Sequence, residues 1–160
     1  MTDILAERIA QPDLATLPEW QVADILNTPD AAFGEAAQPI AVGDVREILM
    51  LYLTPDETMP SLIAIEDVSE NSDHPARVAA KSARFVLEKL TTINMTDPRT
   101  AAMVHFMLTS LIEAEIITTE TREKLLALGK RFRTWAEVNG IEVTPQTVGA
   151  ARPPVQQGGA

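Results

Sequence analysis

Thr96-Asp97-Pro98-Arg99-Thr100-Ala101-Ala102-Met103-Val104-His105-Phe106-Met107-Leu108-Thr109-Ser110-Leu111-Ile112 is the stretch that sets the fold class. Val104, Met107, Leu108 and Leu111 keep the i, i+3, i+4, i+7 spacing of one helix face, and Met103 and Phe106 add apolar surface beside it. Such a helix is apolar on most sides and is expected to be buried. Its start is well marked. Thr96 or Asp97 can accept a hydrogen bond from the first free amides, and Pro98 sits where a missing N–H costs nothing. A second run from Thr119 spaces Thr121, Leu125, Leu128, Phe132 and Trp135 by alternating four and three residues, which predicts a single helical seam reaching Trp135. The two runs together predict an antiparallel helical hairpin at the centre of the fold.

Outward from this hairpin, the chain reads as a string of short helices. Ile4, Leu5 and Ile9 share one side of a short N-terminal helix. Thr16 and Glu19 have the spacing of a capping box ahead of a helix through Asn27, with Val22, Ile25 and Leu26 on one face. Residues 31–42 lack a period and predict a loop with an extended piece at 39–42. Asp44–Glu47 repeats the capping spacing before the apolar block Ile48–Leu53, and Thr54–Glu57 does so a third time. Pro60 sits in the first turns of that helix or starts the next one, which carries Leu62, Ile63 and Ile65 and ends near Ser69. From Ala76 to Leu90 a longer helix places Ala79, Ala83, Val86 and Leu90 on one face, with Val78 and Phe85 alongside. Asn139-Gly140 predicts a helix stop. Ile141–Val143 reads as extended, and Thr144–Val148 can cap a last short turn. Arg152 onward has the composition of a flexible tail.

The expected architecture is all-α: one compact bundle of six or seven short helices over residues 1–151, a minor extended element, and a flexible C-terminal arm over 152–160. A chain of 160 residues is about one domain. Its 46% hydrophobic content comes with only 4% aromatic residues, which favours helices packed through small, flexible side chains. The absence of cysteine excludes a disulfide framework and a thiolate metal site, and fits a cytoplasmic site of synthesis. With no long apolar run and no basic-then-apolar leader, neither a membrane span nor a signal peptide is expected.

Charge is distributed unevenly. Residues 1–75 carry fifteen acids against Arg8 and Arg46, whereas residues 76–160 carry eight acids against eleven bases. An acidic half of this kind disfavours direct nucleic-acid binding, and the contrast suits contacts between unlike ends of neighbouring copies. Arg122, Lys124, Lys130, Arg131 and Arg133 concentrate positive charge in twelve residues. They form either a solvated helix face or a docking stripe for an acidic surface. Trp20, directly after a cap, is a candidate interface anchor, and Arg152 a candidate contact in the arm.

Catalytic chemistry finds little to build on. His74 and His105 are the only histidines, and no acid lies within four residues of His105 to make a metal pair on one helix face. His105 is expected at a hydrogen-bonded edge of the core. The acid pairs Asp56-Glu57, Glu66-Asp67 and Glu113/Glu115 read as caps or solvated faces. Glycines are isolated, without a phosphate-cradling loop. The expectation is a protein that is not an enzyme and needs no cofactor.

Three stretches carry a resemblance. Trp20-Gln21-Val22-Ala23-Asp24-Ile25-Leu26-Asn27-Thr28-Pro29-Asp30, then Leu111 to Leu128, then Asn139-Gly140-Ile141-Glu142-Val143-Thr144 with Val148 to Arg152, resemble small proteins encoded in the structural gene clusters of tailed bacteriophages. About half of the chain takes part, departing at Glu137–Gly140. The resemblance implies a virion component of the head, the head-to-tail junction or the tail, whose partners are other virion proteins and copies of itself. The alternative is a soluble helical adaptor or regulatory binding module, and a third reading is a small enzyme.

Overall fold

Helix α6 (Pro98–Glu113) starts where the sequence marks it: the Asp97 carboxylate accepts from the Thr100 N–H, and Pro98 occupies the first turn. The computed structural model describes residues 3–154, so the part of the expected arm from residue 155 on lies outside the described residues. Among the described residues there are nine helices. They are α1 (Ile4–Ile9), α2 (Glu19–Leu26), α3 (Val42–Leu51), α4 (Ser61–Glu70), α5 (Arg77–Lys89), α6, α7 (Thr119–Leu128), α8 (Trp135–Asn139) and α9 (Pro145–Ala151). Short strands interrupt them: β1 (Glu35–Ala37), β2 (Ile40–Ala41), β3 (Thr92–Ile93) and β4 (Lys130–Phe132). The protein is predominantly helical with minor sheet. β2 runs antiparallel to β3, with Ile40 opposite Ile93 and Ala41 opposite Thr92, and β1 pairs with β4. Of the two stretches expected to be extended, 39–42 yields β2, while 141–143 is irregular.

The chain divides into two compact units, Met1–Ala36 with Phe132–Ala160, and Ala37–Arg131. In the first, Leu5, Leu14, Val22, Leu26, Val143 and Val148 form a core of their own, with α9 packed on α1 and α2. The Asn27 amide donates to the Val143 carbonyl at 2.8 Å and fixes the segment between α8 and α9. Gly140 takes the left-handed conformation, φ 63°, at the end of α8, as the Asn-Gly pair predicts. In the second unit α4 packs on α5, α3 on α4, α5 and α7, and α5 on α6. Ile40, Val45, Leu49, Ile65, Ala80, Leu111 and Ile117 lie at the centre of that core.

Several expectations are corrected. The central hairpin of α6 and α7 does not form as such: α6 has α5 as its main neighbour, and α7 has α3. The cause lies in the connection, where Glu115 takes a left-handed φ of 59° and both Ile116 and Ile117 turn into the core. Nor does a single helix run from Thr119 to Trp135. α7 ends at Leu128, because Gln38 captures the carbonyls that a continuing helix would use. Its N–H donates to Gly129 O at 2.8 Å, and its amide donates to Leu128 O at 2.9 Å and Lys130 O at 3.1 Å. Thr121, Leu125, Leu128, Phe132 and Trp135 therefore share no seam, and Phe132 is exposed.

Thr54–Glu57 opens no helix. The Asp56 carboxylate accepts from the hydroxyls of Thr54 and Thr58, closing a turn between Leu53 and Pro60, and α4 starts only at Ser61. The Thr16/Glu19 capping box is absent too, since Pro18 occupies the cap of α2 without a side-chain bond, and Ile25 faces solvent while Ala23 is buried. On α5 the inward face is Ala80, Ala83 and Leu87, rotated from the predicted Ala79, Ala83, Val86 and Leu90.

Candidate functional site

α5 and α6 leave an apolar face in water. On α6, Leu108 and Leu111 point into the core, and Val104 and Met107 are half-buried, as their spacing predicts. Met103 and Phe106 do not join them: they are 68% and 77% exposed. On α5, one helical repeat apart, Val78 is 76% and Phe85 59% exposed. The expected burial of α6 on most sides is thus corrected: one side is buried, and the opposite side is bare. Each side chain of this size left in water forgoes roughly 1.5–3 kcal/mol of burial. Val78, Met103 and Phe106 border one groove, whereas Phe85 lies among the charged Arg77, Lys81, Arg84 and Glu88.

Between the N-terminal half of α5 and α6 lies an open groove of about 920 Å³. Val78, Ala79, Ala102, Met103 and Phe106 line it, with Glu113 and Glu115 at one end. The hydroxyls in and beside it are turned back on their own helices. Ser82 donates to Val78 O at 3.0 Å, Ser110 to Phe106 O at 3.0 Å, and Thr109 to His105 O at 2.9 Å. Covering the groove would therefore strand no hydroxyl without a partner, which is what lets a mixed Ala/Ser/Met/Phe surface lose its water cheaply. Beneath the other half of the pair, an apolar cavity of about 410 Å³ runs among Val45, Leu49, Ala83, Leu87, Leu108 and Leu111. Leu51 at the end of α3, also exposed, lines neither space, and nor does Phe85.

The site residues chosen from sequence fall elsewhere. Trp20 is exposed in the first turn of α2. Arg122 and Lys124 sit on α7, half-buried and exposed, but Lys130 and Arg131 belong to β4 and Arg133 follows it. The five bases thus form no single helix stripe, because the helix that would align them stops at Leu128. Arg152 is engaged inside its own unit. Its guanidinium donates to the carbonyls of Leu14 and Leu17, with Glu19 at 4.0 Å.

His105 is exposed on α6 instead of lying at the core edge. The His74 Nδ1 accepts the Ala76 N–H at 3.0 Å, ahead of α5. Among the described residues no three His, Asp or Glu side chains converge as a metal site would require. The arrangement is an open groove with a largely apolar lining. The sequence did hold a signal for it: a helix with apolar residues around most of its circumference must find more than one partner, and α6 meets only part of that demand within the chain.

In comparisons with protein-family models, with curated proteins and with solved structures, nothing matches the chain. No helix among the described residues is long and apolar enough to cross a membrane.

Proposed function

We propose that the chain is a non-catalytic structural or accessory protein of a tailed-bacteriophage particle, working through protein–protein contacts made by the outer face of α5 and α6. The observation that carries this reading is the exposed apolar group of Val78, Met103 and Phe106 along one groove, which the fold leaves in water. The resemblance of the Trp20–Asp30, Leu111–Leu128 and Asn139–Thr144 stretches to small phage structural-cluster proteins supplies the setting. Exposed Trp20 on α2 offers a second anchor for a neighbouring protein.

The test is composition. Particles purified through a density gradient from cells producing the chain should contain it at a fixed ratio to the major particle proteins, measured by quantitative mass spectrometry. A chain that stays wholly in the free fraction would overturn the virion assignment and leave the adaptor reading in its place.

A further inference from the structure

We infer that the outer face of α6 is occupied by a second copy of the same chain, packed antiparallel across a two-fold axis at Phe106. This deepens the proposed function and rests on its premise that the face is a contact surface. At about 100° per residue, Arg99, Ala102, Met103, Thr109, Ser110 and Glu113 all fall within about 60° of Phe106. The stripe is self-complementary on reversal. Arg99 and Glu113 each stand seven residues from Phe106, and the small Ala102 and Ser110 each stand four away.

Running two such helices in opposite directions brings each Arg99 to the partner's Glu113, twice over. The small pair flanks Phe106 on both sides and makes room for the ring of the other copy. The side chains of Arg99 and Glu113 are exposed and make no hydrogen bond or ion pair among the described residues, so both are available for this. A parallel pairing would instead place Arg99 beside Arg99 and Glu113 beside Glu113. Charge therefore selects the antiparallel partner, and the same chain supplies it. Val78 of α5, across the groove from Phe106, widens the contact to two helices per copy. A two-helix face about 20 Å long is at the small end of specific interfaces.

Sedimentation equilibrium of the full chain over a range of concentrations should show monomer and dimer in reversible exchange. Phe106→Asp should raise the dissociation constant at least tenfold with an unchanged circular dichroism spectrum. Arg99→Glu and Glu113→Arg should each weaken the dimer severalfold, because each places like charges at both contacts. Mixing these two variants should restore association, since both contacts in the mixed dimer are then opposite in sign.

A parent chain that stays monomeric throughout, or two variants that associate no better together than apart, would overturn the inference. Particle content separates its failure from that of the proposed function. A monomeric chain that Phe106→Asp expels from particles keeps the virion role and loses the self-pairing. A dimer absent from particles does the reverse.

Discussion

Leu108 and Leu111 fill the inward side of α6, and both are buried. Replacing either by Ala should cost about 2–5 kcal/mol in chemical denaturation. The same replacement at Phe106, 77% exposed, should leave the stability of the monomer nearly unchanged. Asp97 adds a pH dependence. The hydroxyl of Thr100, and after it the Thr100 N–H, hold its carboxyl below the ordinary aspartate value. A depressed folded-state value means the cap contributes fully above the unfolded pKa and fades as pH falls through the folded one. The melting-temperature gap between the parent and Asp97→Ala should therefore be open at neutral pH and close in strong acid. A gap that does not change with pH would remove the ionised carboxylate from the account. Arg152 has a structural task as well: with its guanidinium on the Leu14 and Leu17 carbonyls, Arg152→Ala should destabilise the chain by about 1–2 kcal/mol in thermal melts.

At the scale of elements, α6 was legible from residue identities alone, at its start, its inner face and its length. α7 was legible at its start, where the Thr118 hydroxyl accepts from the Thr121 N–H, and misleading at its end. The apolar spacing continues through Leu128 to Phe132 and Trp135, but Gln38, about ninety residues earlier in the chain, takes the carbonyls around Gly129. Local periodicity carries no information about such a distant competitor. Gly129 also lets this turn approach closely: a Cβ there would lie 3.0 Å from Met95 Cγ and 3.2 Å from Ile40 Cδ1. Gly129→Ala should cost about 1–3 kcal/mol through overpacking, read by denaturant titration, because Ile40 is buried and has little room to give. A neutral result would show that Met95 moves aside freely.

For the whole molecule, part of the uneven charge of the sequence is paired internally. Acidic α4 packs on basic α5, and Arg84 binds Glu70 at 3.0 Å and Glu88 at 2.7 Å, so part of the contrast is neutralised within one unit. That unit has its own core, assembled from α3 to α7. Residues 37–131 expressed alone should keep their helical circular dichroism and melt cooperatively; a gradual, featureless melt would show that the rest of the chain is needed to fold them.

By itself the sequence determined the helical class, the caps at Asp97 and Thr144, the stop at Gly140 and the inward stripe of α6. These depend on groups within a turn or two of one another. Tertiary structure alone decided that α6 lies on α5, that α7 stops at Gly129, that Arg152 is tied to Leu14 and Leu17, and that Met103 and Phe106 remain in water. Each of those outcomes is a competition between distant segments for the same carbonyl or the same apolar surface, and the spacing of residues along one helix does not record which competitor wins.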